Sequence, residues 1–473
     1  MKKLKKQKNV SEIFYTVDEI KQIYRSFSDC QVVVWGTGNR AEDVLRTLNI
    51  NEVPVAYFGD NDVVKQGQYL LDKKIIGKDE LKEIKFPFIV MGCGSSFIHI
   101  YNSLTKDGFH NIYAIKDLIK YSYQDILEDK NFLVQYINNY ETMCSDKILV
   151  EMYGHIGDIL IDISVLKYFF KKYQNCVYVL VEKGNKEEVV RLVTDQIIVI
   201  DNKSFIKDKL YRREFLQNIN SHYFVKSFII SEMKNAINER VLNKYNFNVK
   251  KVISNYFLEN NSEYRLDLTK KFLHDYFGKM EDINLSPKYI LNDAVEKIKF
   301  DYVLPSKYVV IHLGSLSSPK YYDTQKFLKV VKYLLDRNYK IVMIGYGEYD
   351  ERCYKEIQKV FCDDKRIVSF VSRLSVLESF YVVLKSLFFV GTDSSMWNAA
   401  YVLGKASVVV YSGGDYSFKH KDPSIHYAKV ADKACRNCIW FCTHKTENGY
   451  SECMDEITPE LIIEKIKEIE GKN

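Results

Sequence analysis

The 473-residue chain has no window of about 18 uninterrupted apolar residues, so nothing in it reads as a membrane-spanning helix. Its basic opening, "MKKLKKQK", is followed by polar "NVSEIF" rather than an apolar run, which argues against a secretory signal peptide. That opening reads as a solvated tail or as a contact for an anionic membrane face. Short-period repeats and low-complexity segments are absent. No block of one charge dominates: the net charge of +6 is spread over 68 Lys and Arg and 62 Asp and Glu. Such a balance gives no footprint for a nucleic-acid partner, and none is expected.

What is there fits an ordinary globular protein, with 47% hydrophobic and 27% charged residues. The chain is too long for one compact core, so two or three domains are expected. Its ten cysteines fall into two groups. Cys30, Cys93, Cys144, Cys176, Cys353 and Cys362 are scattered and read as thiols of a cytoplasmic protein. Cys435, Cys438, Cys442 and Cys453 cluster near the C-terminus. By count they satisfy a four-thiolate metal site, with His444 able to replace one thiol. Their spacing is not that of paired CxxC units, so buried thiols or a local disulfide stand beside the metal reading.

Alternation of short apolar runs with helical segments implies parallel βαβ units, hence an α/β protein. We expect an N-terminal Rossmann-like domain over residues 1–124 and a helical linker over 125–146. Two further α/β domains are expected over 147–300 and 301–473. In the first, "VVVWGTGNRAEDVL" sets Gly36-x-Gly38-x-x-Ala41 after a strand, with Asp60 about 22 residues on. Glycines there let backbone approach a phosphate, and the acid can accept from ribose hydroxyls. The unit has no second half to hold a nicotinamide and no Tyr-x-x-x-Lys pair, which disfavours an NAD(P)-dependent sugar-nucleotide oxidoreductase.

Four loops in the remainder carry polar groups at strand ends, where open α/β sheets bind ligands. "ILVEMYGHIGD" runs from a strand through Gly154 and Gly157 to Asp158 at a helix start. An acid there is favoured as the carboxylate, which suits a general base, or it is a simple helix N-terminal acid. His155 beside it reads as a loop hydrogen-bonder. "HLGSLSSPKYY" offers Ser317, Ser318 and Lys320, groups suited to a diphosphate. "IGYGEYDE" offers Glu348 or Glu351 to ribose hydroxyls. "VGTDSSMWN" places Asp393, Ser394, Ser395 and Asn398 at the last strand-to-helix turn. The run "NVKKVISNYFLENNSEYR" reads as solvated surface.

From Lys147 onward these stretches, in this order and with "ACRNCIWFCTH" through "CMDEITPELIIEKI", resemble glycosyltransferase family 9, the bacterial heptosyltransferase group. The first quarter resembles the small Rossmann-like domain preceding sugar acyltransferases and polysaccharide-biosynthesis proteins, which implies nucleotide or nucleotide-sugar binding at Gly36, Gly38 and Asp60, or a docking role. The family 9 resemblance implies a GT-B fold, two Rossmann-like domains facing a cleft, and an inverting sugar transfer that needs no cofactor or metal. It implies Asp158 as the base and Lys320 with Ser317 and Ser318 on the leaving diphosphate. Asp393 and Ser394 would take the donor sugar or its phosphates, and Glu348 the ribose. A nucleotide-sugar donor, an ADP-sugar foremost, and a saccharide or lipid-linked saccharide acceptor follow. So does a cytoplasmic place in surface-polysaccharide or lipopolysaccharide assembly, with peripheral contact at the inner membrane. The chain departs from the family where Ser395 stands for Gly, Asn398 for His and Tyr322 for Trp. A donor other than ADP-heptose, or a non-catalytic nucleotide-sugar-binding module, fits those departures.

Overall fold

The computed structural model describes residues 14–27, 29–37, 41–92, 97–115, 147–152, 154–173, 176–221, 226–230, 252–255, 265–277, 285–362, 364–412, 420–430, 442 and 444–471. The chain divides into two compact units, Met1–Asn138 and Asn139–Asn473. The stretch expected to be a helical linker, residues 125–146, lies outside the described residues.

In the first unit the strands are β1 (Phe14–Tyr15), β2 (Gln31–Trp35), β3 (Val55–Gly59), β4 (Tyr69–Leu70), β5 (Lys73–Ile76), β6 (Pro87–Gly92) and β7 (Ile112–Ile115). They form one sheet in the order β1-β7-β6-β2-β3-β5-β4, and among the described residues only the β4–β5 pairing is antiparallel. The "VVVW" run of β2 is continuously buried because the strand is central and covered on both faces. Val32, Val34, Val44, Leu48, Phe58, Phe88 and Val90 belong to this unit's own core.

Among its described residues the second unit holds two all-parallel sheets. Strands β8 (Ile148–Met152), β9 (Val177–Glu182), β10 (Ile197–Ile200), β11 (Lys226–Ile230) and β12 (Val252–Asn255) are ordered β10-β9-β8-β11-β12. Strands β13 (Tyr308–His312), β14 (Lys340–Met343), β15 (Ile367–Ser369), β16 (Phe389–Thr392), β17 (Ser407–Val410) and β18 (Ile425–Ala428) are ordered β15-β14-β13-β16-β17-β18. Numbered within each sheet these orders are 3-2-1-4-5 and 3-2-1-4-5-6, the doubly wound pattern. Within "NVKKVISNYFLENNSEYR", read above as solvated surface, "VISN" forms the edge strand β12, paired in parallel with β11.

Period-2 alternation decides which core each residue joins. In β13, Val309 and Ile311 face a cluster with the C-terminal helix Pro459–Glu470, while Tyr308 and Val310 face the opposite way. The cluster on that opposite side also takes in Ile148, Val150 and Met152 of β8 and helix residues Ile159, Leu160, Trp397 and Ala400. The two sheets of this unit therefore share a core. At about 25 cal/mol per Å² of buried apolar surface, such a seam is a major part of the unit's stability. The doubly wound order also fixes where ligands can enter. Each sheet reverses direction beside its first strand, leaving a crevice at the carboxyl ends of β8 and β13.

Candidate active site

At the end of β8, Gly154 takes φ +137°, a conformation that side chains rarely adopt, and a Cβ there would lie 2.6 Å from the Cβ of Asp158. The chain thus turns tightly enough to bring the Asp158 carboxylate back over the loop. His155 N–H donates to Asp158 Oδ2 at 2.6 Å, while Asp158 N–H and Ile159 N–H donate to the His155 carbonyl. Asp158 sits in the first turn of the Ile156–Tyr173 helix and is buried apart from a small accessible face. The helix-start acid of the sequence reading is real. One of its oxygens holds the turn together, which fixes the direction of the carboxylate. His155 is exposed as a residue, yet its imidazole is crowded enough that desolvation lowers its pKa. Asp158 raises it, and Lys186 and Lys320 lower it. The ring therefore lies within electrostatic reach of both Asp158 and Lys320.

Lys320 closes the short turn Ser318–Lys320 and makes an ion pair with Asp393 at 2.7 Å. Ser317 precedes that turn and is buried; Ser318 is half-buried. The turn is braced from the far end of the chain. Ser451 Oγ donates to the Pro319 carbonyl at 2.9 Å, and Tyr322 OH donates to the Ile457 carbonyl at 2.8 Å. Asp393 and Ser394 follow β16 and precede the Ser395–Val402 helix, and both are buried. This helix end meets the Asp158 helix directly: a Cβ on Gly157 would lie 2.8 Å from Asn398 Nδ2 and 3.7 Å from Ser395 Cα. Gly157 thus serves as the point of close approach between two helix starts.

Asn398 is occupied within the protein. Its Nδ2 donates to the Ser394 carbonyl at 3.1 Å, and its Oδ1 lies 2.8 Å from Nε2 of His420. His420 is buried, stacked on Tyr401 with ring centroids 3.9 Å apart. Burial pushes its pKa down to about 3, against the pull of Asp422. The neutral ring donates to the amide oxygen, so an imidazole does stand beside Asn398, supplied from 22 residues along the chain. Glu348 is exposed at the start of the Glu348–Val360 helix, and Glu351 accepts from Ser372 Oγ at 2.8 Å. Tyr346 and Leu316 are strongly exposed on the neighbouring loops.

Sequence reasoning missed three buried groups here: Asp350, His312 and His420. His312 ends a buried strand, and Asp350 lies two residues past Glu348. That position at a strand end was the available signal for the first two. His420 carried none, because only the folded chain returns it to Asn398.

In the first unit, Gly36 turns the chain with φ +102° and Gly38 lies outside the described residues. Asp60 Oδ2 accepts from Thr37 N–H at 3.0 Å and from the Thr37 hydroxyl; Oδ1 accepts from Asp62 N–H at 3.0 Å, and Lys65 lies 3.4 Å away. Burial acts to raise the Asp60 pKa, but these bonds outweigh it and hold the carboxyl below its usual range. Asp60 is therefore a carboxylate that ties the β2 and β3 loops together. Of the C-terminal cysteines, Cys435 and Cys438 lie outside the described residues. Cys442 donates to the His444 carbonyl at 3.1 Å, and Cys453 packs in the apolar cluster with Met454 and Ile457. Among the described residues no group of three His, Cys, Asp or Glu is arranged to hold a metal.

Residues 244–419 match the model of glycosyltransferase family 9 (heptosyltransferase), and residues 28–115 match that of C2185-like, N-terminal. Over residues 244–419 the chain is therefore similar to glycosyltransferase family 9. Solved structures agree in fold. E. coli heptosyltransferase WaaC with ADP superposes with a TM-score of 0.53 at 11% identity, covering 68% of this chain and 99% of that one. E. coli ADP-heptose LPS heptosyltransferase II gives 0.50 at 12%, covering 68% and 98%. The family 9 glycosyltransferase of Veillonella parvula DSM 2008 gives 0.50 at 13%, covering 70% and 99%. The two doubly wound sheets of the second unit are thus the halves of a GT-B fold, preceded by a separate α/β domain. No curated protein sequence matches the chain. No helix among the described residues is long and apolar enough to cross a membrane.

Proposed function

We propose that the family 9 domain transfers a sugar from a nucleotide-sugar donor to a saccharide acceptor with inversion, Asp158 acting as the base. The observation that carries this is the meeting of two helix starts. Asp158 heads one and Asp393 with Ser394 heads the other, while Lys320 bridges to Asp393 at 2.7 Å. In this reading the acceptor hydroxyl gives its proton to Asp158 as its oxygen attacks the anomeric carbon. The bond from that carbon to the diphosphate oxygen breaks, and its electron pair leaves with the diphosphate. Lys320 and the N–H groups at the Ser395 helix start offset the growing negative charge. A base opposite the leaving group suffices for inversion, the geometry used by inverting glycosidases.

WaaC has been solved with ADP and with ADP-2-deoxy-2-fluoro heptose, which supports an ADP-sugar as the first donor to try. Within this reading, residues 147–300 form the acceptor side and 301–473 the donor side. Glu348 reaches the ribose, and the product belongs to bacterial surface-polysaccharide or lipopolysaccharide assembly. Gly36 and the loops around it remain the candidate nucleotide site of the first domain. The test is calorimetric titration of the full chain with ADP, GDP, UDP and CDP. ADP should bind best, and Lys320→Ala should weaken it about tenfold or more, the scale of a charge-assisted phosphate contact. Failure of all four to bind would overturn the reading.

A further inference from the structure

Ser394 is the N-cap residue of the Ser395–Val402 helix, and serine in that position ordinarily turns its hydroxyl back to accept a first-turn N–H. Here it forms no side-chain cap. Its Oγ lies instead 3.0 Å from Nδ1 of His312, at the end of β13. On the other side of the ring, Nε2 lies 3.7 Å from Oδ2 of Asp350. All three side chains are buried. Asp350 is also built into its place: Tyr346 N–H donates to Oδ2 at 3.1 Å, and two glycines make room for the carboxylate. A Cβ on Gly314 would lie 2.1 Å from Oδ2, and one on Gly345, at φ +150°, 2.3 Å from Cγ. Two strand-end loops are thus shaped around one acid that stands beside one histidine.

A buried polar chain of this kind is costly to assemble and gives nothing that an apolar trio would not give to packing alone. Its effect is local. Burial holds the His312 imidazole neutral, so one ring nitrogen donates and the other accepts. Either way the Ser394 hydroxyl is engaged and points away from its own helix. A capping hydroxyl would put oxygen lone pairs among the first-turn N–H groups, where a phosphate oxygen would have to sit.

We propose that His312, flanked by Asp350, is a positioning residue for the donor subsite: it keeps the Ser394 hydroxyl off the helix end, so that the first-turn N–H groups stay open to the donor diphosphate. This rests on the donor-site reading above. Amide hydrogen exchange at Ser395, Met396 and Trp397 in the unliganded full chain reads the cap directly. These amides should exchange fast in the natural protein and about five- to tenfold more slowly in His312→Met, where the hydroxyl falls back to cap the helix. Slow exchange already in the natural protein overturns the proposal, as does no change in the variant.

ADP titration supplies the second readout. His312→Met should weaken ADP by about five- to tenfold, and adding Ser394→Ala to it should restore part of that loss by removing the competing oxygen. His312→Gln, which can still bond the hydroxyl, should stay within about twofold of the natural protein. A loss that Ser394→Ala does not relieve means that His312 only supports packing, and the proposal falls. Should His312→Met fail to fold, exchange in the natural protein and the behaviour of His312→Gln decide. Should no nucleoside diphosphate bind, the donor-site reading fails while the exchange rates still decide on the His312–Ser394 bond.

Discussion

At the residue scale, the Asp158 carboxylate has two duties that can be separated. One oxygen accepts from His155 N–H at 2.6 Å and shapes the turn; proton removal needs the charge. Asp158→Asn keeps an oxygen for the turn and loses the basicity. We expect unchanged melting and donor affinity, with turnover down by about a hundredfold or more, measured as product formed from donor and acceptor. Unchanged turnover would remove Asp158 as the base. His420 makes a different prediction. In the unfolded chain it takes up a proton near pH 6.5, in the folded one only near pH 3. Between those values the unfolded state holds more protons, so stability falls as the pH drops below 6.5, by about 1.4 kcal/mol per unit. Urea titrations at pH 7 and 5.5 should show about 1 kcal/mol more loss in the natural protein than in His420→Gln; equal losses would mean that the folded ring titrates normally.

At the scale of elements, the meeting of the Ile156–Tyr173 and Ser395–Val402 helices depends on Gly157. A methyl there would press on Asn398 Nδ2, which is held by Ser394 and stands beside His420. Gly157→Ala should therefore separate the two helix starts and destabilise the unit by roughly 1–3 kcal/mol, the usual range for overpacking, with a fall in turnover. Chemical denaturation checks the first and an activity assay the second; a neutral result would mean that the contact relaxes freely. What was legible here followed from chemistry that is local in sequence. Gly154, Gly157 and Asp158 sit in one turn, and Asp393 and Ser394 in another, so strand-turn-helix patterning reached both. "VISN" was not read as a strand because a four-residue edge strand in a polar setting has too few alternations to stand out. The His312–Asp350 and His420–Asn398 pairs were illegible for another reason. Each joins residues 38 and 22 positions apart in sequence, and only strand register brings them together.

At the scale of the molecule, two units each own a core: Val32, Val34, Phe58 and Phe88 in the first, and the shared cluster around Val150, Val310 and Trp397 in the second. A unit with its own core and uninterrupted sheets has what it needs to fold alone. Expressed separately, residues 139–473 should melt cooperatively and bind the preferred nucleoside diphosphate within about twofold of the full chain, since every donor-side group lies inside them. The first unit gives the contrasting case. Asp60 is already engaged by Thr37, Asp62 and Lys65, so a ribose hydroxyl would have to displace one of these bonds to reach it. Each displaced bond costs about 1 kcal/mol, so weak or no binding of NAD by residues 1–138 is expected on calorimetric titration. Tight NAD binding there would show that Thr37 gives way to the ligand, and would make the first domain a cofactor site rather than a partner-docking one.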